Sequence, residues 1–423
     1  AYQLGTDENR EFLKALSEDL LEFGHNFPAP QGGSMWLNSD GTTDPSQGIQ
    51  TWITCRMAHI YSMGAMLGHD GSEKLVDAAL KGLTGPLRDE KNGGWYPQIA
   101  MDGTPNPGKI CYTHAFVMLA ASSATLIGRP GAVELLDEAI DTFMTHFWNE
   151  DDGLAVDTWN TEFTELDPYR GINANMHTTE AFLALADVLK DEVWRERAGR
   201  IVHHVVAWSE ANEWRIPEHF KSDWIPDLEF NADRKADQFK PYGATPGHGI
   251  EWARLITQYV LSSNGIEETE KHRLIAAAEQ LFNRAVKDGW GTTPGSKKGL
   301  TYTTDWNGVP VVTDRMHWTL AEGVNTSATL AKVTGKRQYE EWYRRFWQYI
   351  DDFLVDHRLG SWFHQLDLNN HVIGTVWPGK SDLYHAFQST WIPQLDPAMS
   401  VAPAMKASVN GANSASAPAR HHL

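Results

Sequence analysis

A helix-opening segment with a polar, chemistry-capable residue recurs through this chain at Arg56, His114, His177, His248, His317 and His385. The successive spacings are 58, 63, 71, 69 and 68 residues. A unit of that length holds a helix, a turn, a second helix and a loop, and it cannot bury its apolar stripe alone. Residue types that cap helix N-termini stand just upstream each time: Thr54, Thr113, Asn175, Thr245, Asp314 and Asp382. The loops before the next unit combine glycine with aromatics, as in Gly93-Gly-Trp-Tyr-Pro, Gly299-Leu-Thr-Tyr-Thr-Thr-Asp-Trp and Gly360-Ser-Trp-Phe-His-Gln. They read as short hairpins or extended strands. Six helical hairpins close into a ring, one helix of each inside and one outside. The predicted fold is therefore all-α: an (α/α)6 barrel of six helical hairpins, with the inner-helix N-termini and the β-hairpin or extended loops on one face. An open α-solenoid with a groove is the alternative. An amphipathic helix from about Thr6 to Asn26 precedes the repeats.

The densest chemistry lies in Tyr242-Gly-Ala-Thr-Pro-Gly-His248-Gly-Ile-Glu251-Trp-Ala-Arg254. Thr245 suits an N-cap and Pro246 a first helical position, which sets His248 in a first turn with Glu251 one turn on. The positive end of the helix dipole disfavours imidazolium there, so His248 is expected neutral and able to take a proton. The unit before repeats the idea in Asn173-Ala-Asn175-Met-His177-Thr-Thr-Glu180, and Asp382-Leu-Tyr-His385 puts a third histidine in a first turn. Any one of these alone would as readily be a packed core histidine. Together they admit a metal site, with Glu180 or Glu251 as further ligands, or an acid–base site. The acid–base reading is favoured, because no His-x-x-x-His pair shares a helix and the candidate ligands come from distant repeats.

Taken in order, Arg56-Met-Ala-His-Ile-Tyr, Gly94-Trp-Tyr, Asn173-Ala-Asn-Met-His177, Gly243-Ala-Thr-Pro-Gly-His248-x-x-Glu251-Trp, Asp305-Trp, Trp362-Phe-His-Gln365 and Asp382-Leu-Tyr-His385 resemble the N-acylglucosamine 2-epimerase superfamily. Within it they are most similar to the aldose–ketose isomerase branch, and the resemblance runs from about Leu13 to Leu395. It implies an (α/α)6 barrel, no metal and no cofactor, and a monosaccharide substrate whose ring is opened. His248 and His385 match the two catalytic histidines. Arg56, Tyr112, Asn173, His177, Glu251, Trp318, Glu322 and Gln365 match positions that line the sugar site, and Trp362 is drawn towards the pocket wall. The implied reaction interconverts an aldose and its 2-ketose through a cis-enediol(ate). Arg56, a planar cation able to fork onto two oxygens, would stabilise the enediolate. D-mannose and D-fructose are the expected pair, with D-lyxose and D-xylulose as slower relatives. Alternatives on the same site are a sulfonated sugar (sulfoquinovose) or 2-epimerisation. Which histidine moves the C1–C2 proton stays open.

Composition narrows the remaining classes. A formal charge of -19 argues against nucleic acid and anionic membrane surfaces as partners. No run is apolar enough to span a bilayer, no signal-peptide pattern opens the chain, and only Cys55 and Cys111 occur; a cytoplasmic enzyme is expected. Residues 1–398 are expected to form the single barrel-type catalytic domain, and the low-complexity residues 399–423 a disordered tail. The sequence leaves the oligomeric state open, a homo-oligomer included. A glycosidase on the same barrel would need two carboxylates, for which Glu180, Glu251, Glu322 and Asp382 are candidates. A sugar-binding protein without catalysis would have no use for paired helix-start histidines. His59 is expected packed, and His203, His204 and His357 solvated.

Overall fold

The computed structural model describes residues 1–295 and 298–413. Among the described residues there are thirteen α-helices. They are α1 (Asp7–Phe23), α2 (Thr51–Met66), α3 (Ser72–Thr84), α4 (Cys111–Leu126), α5 (Ala132–His146), α6 (Ile172–Leu189) and α7 (Glu192–Glu210). The second half holds α8 (Pro246–Ser262), α9 (Glu268–Gly289), α10 (His317–Thr334), α11 (Arg337–Tyr349), α12 (Tyr384–Trp391) and α13 (Val401–Asn413). The helices α2, α4, α6, α8, α10 and α12 form the inner ring. Helices α3, α5, α7, α9 and α11 pack outside their partners, and α1 serves as the outer helix for α12. Contact between α12 and α2 closes the circle, so the barrel replaces the open solenoid. No described helix is long and apolar enough to cross a membrane.

The inner helices are buried nearly all round and carry their polar residues inside, as α10 does with His317, Thr319, Glu322, Asn325 and Thr326. The outer ones bury a single stripe, as α1 does through Leu13, Leu16, Leu20 and Leu21. Helix α1 also shows the expected cap, with Thr6 Oγ1 accepting from Asn9 N at 3.2 Å. The inner helices other than α12 do not. The first N–H groups of α2, α4, α6 and α10 donate to the carbonyls of Pro97, Asp157, Glu218 and His364, at 3.0, 2.8, 3.1 and 3.0 Å. Each acceptor lies in the loop leading to the next inner helix. Backbone from a neighbouring repeat thus satisfies the orphan donors that a side chain was expected to satisfy.

This corrects the reading of the upstream polar residues as caps at every inner helix but α12, where Asp382 Oδ1 accepts from Tyr384 N at 3.2 Å. Only Thr245 stands at an N-cap, and its side chain makes no capping bond. Thr54, His114 and Asn175 are instead the fourth residues of α2, α4 and α6. They accept backbone N–H groups from Ser34, Trp95 and Ala155, at 2.9, 3.1 and 2.8 Å. One structural job recurs there, and the imidazole of His114 is one of its forms.

The loops form a second ring on the same face. Short antiparallel pairings join 49–50 to 98–99, 109–110 to 158–159, 170–171 to 219–220 and 315–316 to 365–366, and a bridge joins Ala244 to Thr304. In each, the segment entering one inner helix pairs with the loop of the next repeat. The circle ends with Lys380 N donating to Leu37 O at 3.0 Å and Leu37 N to Ser381 Oγ at 2.5 Å.

The disordered tail expected from residue 399 is corrected for its first part. Helix α13 covers the opposite end of the barrel with Ala402, Ala404 and Met405 buried. It is pinned by Ser400 N on Asp187 Oδ2 at 2.9 Å and Lys406 Nζ on Leu126 O at 3.0 Å. A small-residue helix fits where six C-terminal helix ends converge, which low complexity concealed. Residues 414–423, with His421 and His422, lie outside the described residues. Cys55 and Cys111 are buried free thiols.

Candidate active site

A cavity of about 860 Å³ opens between the inner-helix N-termini and the loop ring, within the usual size range of small-molecule sites. Its floor follows from helical spacing. The second residues of the inner helices are Trp52, Tyr112, Asn173, Gly247, Trp318 and His385; the sixth residues are Arg56, Phe116, His177, Glu251, Glu322 and Ser389. Positions four apart share a face, so six repeats give an upper and a lower tier. Every upper-tier residue but Gly247 lines the cavity, and the lower tier adds Arg56, His177 and Glu251. At Gly247 an added Cβ would stand 2.9 Å from Trp318; glycine there leaves the space that the indole fills, and His248 at the next position lines the cavity.

The two matched histidines face one another across Trp318. Its ring centroid is 5.0 Å from that of His248 and 5.6 Å from that of His385. Each imidazole is held at Nδ1 by a glutamate: His248 by Glu218 Oε1 at 2.9 Å, His385 by Glu322 Oε1 at 3.0 Å. Such a bond fixes the tautomer and leaves Nε2 for the cavity. Burial, reinforced by the nearby Arg56 guanidinium, holds His385 well below the usual imidazole range. It is therefore neutral at pH 7 and able to accept a proton.

Arg56 is almost wholly buried. One Nη donates to Asp382 Oδ2 at 2.7 Å and the other to Tyr112 Oη at 2.6 Å, while Nε has no partner. Trp52, Phe116 and Tyr384 lie against its guanidinium at 4.7, 4.6 and 4.6 Å. The fork expected to meet substrate is thus already engaged by Asp382 and Tyr112, and Nε–H and the remaining Nη protons are what it offers. Burial works against its charge, but Asp382 and its neighbours raise its pKa further.

His177 Nδ1 bonds Glu180 Oε1 at 3.2 Å, as the His-x-x-Glu spacing predicted. The same spacing misleads at His248, whose partner is Glu218 and not Glu251. Both carboxyl oxygens of Glu251 are buried and without a partner. Burial and the charges of Glu322 and Glu180 push it well above the carboxylate range, so it carries its proton. Burial would raise Glu180 too, but its bond from His177 and the charges of His177 and Arg254 bring it down to about 2. Asn173 turns a bond-free Oδ1 towards the same space.

Of the ten residues matched to the site, Arg56, Tyr112, Asn173, His177, His248, Glu251, Trp318 and His385 line the cavity. Two stand behind the wall. Glu322 is fully buried and reaches the cavity only through His385. Gln365 is also fully buried: its Oε1 accepts from Val376 and Trp377 N, both at 2.9 Å, and its Nε2 donates to Asp314 and Thr375. It holds the loop whose Trp377 faces the cavity, so its expected contact with substrate is corrected to a positioning role. Trp362 belongs to the core, packed on Trp347. His317, stacked 3.9 Å from His364, and His59, bonded to Ser123 and Gln388, are packed beneath the site.

Sequence reasoning missed Glu218, Trp52, Tyr169, His219, Lys240 and Tyr302, all on the wall. Most lie in loops whose course only the loop ring explains. Tyr302 had a signal, in the quoted Gly299-Leu-Thr-Tyr-Thr-Thr-Asp-Trp, and Glu218 and His219 share a similar aromatic loop, Trp214-Arg-Ile-Pro-Glu-His-Phe. The structure also overturns one argument made against a metal. Glu251, Glu322 and His385, from three repeats, bring their ligand atoms within 4.8 Å of one another.

The family model for N-acylglucosamine 2-epimerase (GlcNAc 2-epimerase) matches residues 32–389. The chain belongs to the N-acylglucosamine 2-epimerase family. Among its relatives, a D-mannose isomerase of Thermobifida fusca is 42% identical over 400 residues, covering 94% of this chain and 97% of that one. A D-mannose isomerase of Pseudomonas cannabina pv. alisalensis is 41% identical over 356 residues, covering 84% and 85%. A crystal structure of a D-mannose isomerase superposes with a TM-score of 0.82 at 26% identity, over 90% of this chain and 97% of that one. The cellobiose 2-epimerase of Spirochaeta thermophila, at a TM-score of 0.77 and 21% identity over 91% and 95%, shares the fold. In this family setting, the two His–Glu pairs stand in a barrel of the expected kind.

Proposed function

We propose that this chain is an aldose–ketose isomerase that interconverts D-mannose and D-fructose by histidine acid–base catalysis. The observation that carries the reading is the pair of Glu-held imidazoles, His248 and His385, flanking Trp318 in one cavity. The relatives named D-mannose isomerase support the substrate. In the open-chain aldose, neutral His385 takes the proton from C2, and the C2–H electron pair forms the C1=C2 bond of a cis-enediol(ate). Arg56, through its free N–H groups, and protonated Glu251 face the oxygens that gain charge. His385 then returns the proton to C1, while the O2 proton passes to O1. His248, on the other side of Trp318, moves the hydroxyl protons and assists ring opening.

Glu251, Glu322 and His385 are a donor set that a divalent ion would accept. Arg254 argues for proton chemistry: its guanidinium lies 3.3 Å from Glu322 and already supplies a cation at that point. The glycosidase reading needs two carboxylates and keeps one of its four candidates: Glu180, Glu322 and Asp382 are tied to His177, His385 and Arg56, which leaves Glu251 alone.

One observation favours a second substrate. Lys240, on the cavity wall with Nζ 3.9 Å above the Tyr169 ring, brings a second cation to the cavity besides Arg56. A sugar with a sulfonate at C6 is the substrate it would serve. The test is to supply EDTA-treated protein with D-mannose, D-lyxose, sulfoquinovose and N-acetylglucosamine separately and follow ketose and epimer formation. Fructose from mannose is the expected product. Turnover of sulfoquinovose alone moves the substrate to the sulfonated sugar, and epimer without ketose overturns the isomerase reading.

A further inference from the structure

Away from the cavity, two histidines and a glutamate from separate segments converge. His25, in the turn after α1, and His69, in the α2–α3 turn, bring their Nε2 atoms to 2.8 Å. Glu22, in the last turn of α1, places Oε2 3.9 Å from both. The 2.8 Å contact is a hydrogen bond between the two imidazoles, and all three ligand atoms lie within 4.8 Å of one another, a span that one ion bridges once that hydrogen bond opens. The imidazoles are partly buried, at 33% and 18% exposed, while Glu22 is 76% exposed. Two ligands are therefore set by packing and the third reaches in from solvent, which leaves room for water to complete the shell.

We propose that Glu22, His25 and His69 form a zinc site. Neutral imidazole and carboxylate are ligands that zinc accepts in any combination. A bound ion would tie the end of α1 to the α2–α3 turn. Because α1 is the outer partner of α12, the tie reinforces the seam where the N-terminal helix completes the ring. The site is separate from His248 and His385, and its role is in stability.

The test uses the full chain, stripped with EDTA and titrated with Zn2+ against a chromophoric chelator, beside His69→Ala, His25→Ala and Glu22→Gln. His421 and His422 are present in every variant, and the active-site donors Glu251, Glu322 and His385 are unchanged, so the comparison isolates this cluster. The parent should bind one zinc more than either histidine variant. Glu22→Gln, at an exposed position that does not endanger folding, should weaken that site roughly tenfold or more. At a hundredfold excess of zinc over Kd the parent melt should rise by about 3 °C, and the His69→Ala melt should not rise. Co2+ in the parent should give a visible spectrum that His69→Ala lacks. Equal zinc stoichiometry and affinity in parent and variants, with equal melting shifts, overturns the site.

Discussion

His385 Nδ1 lies 3.0 Å from Oε1 of Glu322, and Oε2 of the same carboxylate accepts from Arg254 at 3.3 Å. One buried carboxylate thus orients an imidazole and neutralises a guanidinium. His385→Ala should lower kcat by about 10²–10⁴ with the fold retained, since it removes a proton-transfer group. Glu322→Gln should lower kcat and also lower Tm, because it leaves Arg254 buried without a charged partner. Wild-type kcat in either variant contradicts the assignment.

The second pair is tested separately. Glu218→Gln should reduce kcat more than it raises KM, because Glu218 acts through His248; His248→Ala should be more severe, at about 10²-fold or more. If Glu218→Gln changed only KM, the pairing at 2.9 Å would serve binding and not proton transfer.

Arg56→Lys keeps the charge but loses the planar geometry that bonds Asp382 and Tyr112 at once. Turnover should fall by about 10²-fold or more, and circular dichroism should show whether the barrel persists. Near-normal activity removes Arg56 as the enediolate partner.

These three groups show how far the sequence carried. Helical spacing made Arg56, His177, His248 and His385 legible, because each sits near the start of an inner helix. Of their partners only Glu180, one turn on from His177, was legible. Glu218 lies in a loop placed beside His248 by the pairing of 170–171 with 219–220, a relation with no local signature. Gln365 was found but misassigned, since nothing in Trp362-Phe-His-Gln365 tells a wall residue from one bonded to the loop behind it. Helix α13 was hidden because alanine and serine suit a helix only where the barrel end is there to cover them.

Acid should destabilise the protein. Burial depresses His114 to about 3 and His317 to about 4, against 6.5 when unfolded. The unfolded chain therefore binds more protons between those values, and stability rises with pH in that window. The melting temperature should be level above about pH 6.5 and fall as pH drops towards 4, each unit of depression being worth about 1.4 kcal/mol. His114→Asn copies the acceptor that Asn175 provides at the equivalent position of α6 and should flatten the fall. An unchanged slope in that variant removes His114 as a source.

Helix α13 should matter for stability and not for chemistry. Met405, 1% exposed at the barrel end, should cost about 2–5 kcal/mol on replacement by alanine. Turnover at 25 °C should be retained. A melt identical to the parent's would mean that α13 is not held there in solution.

The most direct test is to incubate EDTA-treated protein with D-mannose in D2O and follow the sugar by proton NMR, beside His385→Ala. Fructose should form without added metal, with or without deuterium at C1 according to whether the proton on His385 exchanges with solvent before its return, and the variant should leave mannose unchanged. Mannose untouched by the wild-type protein, or fructose formed only after a divalent ion is restored, would contradict metal-independent histidine catalysis.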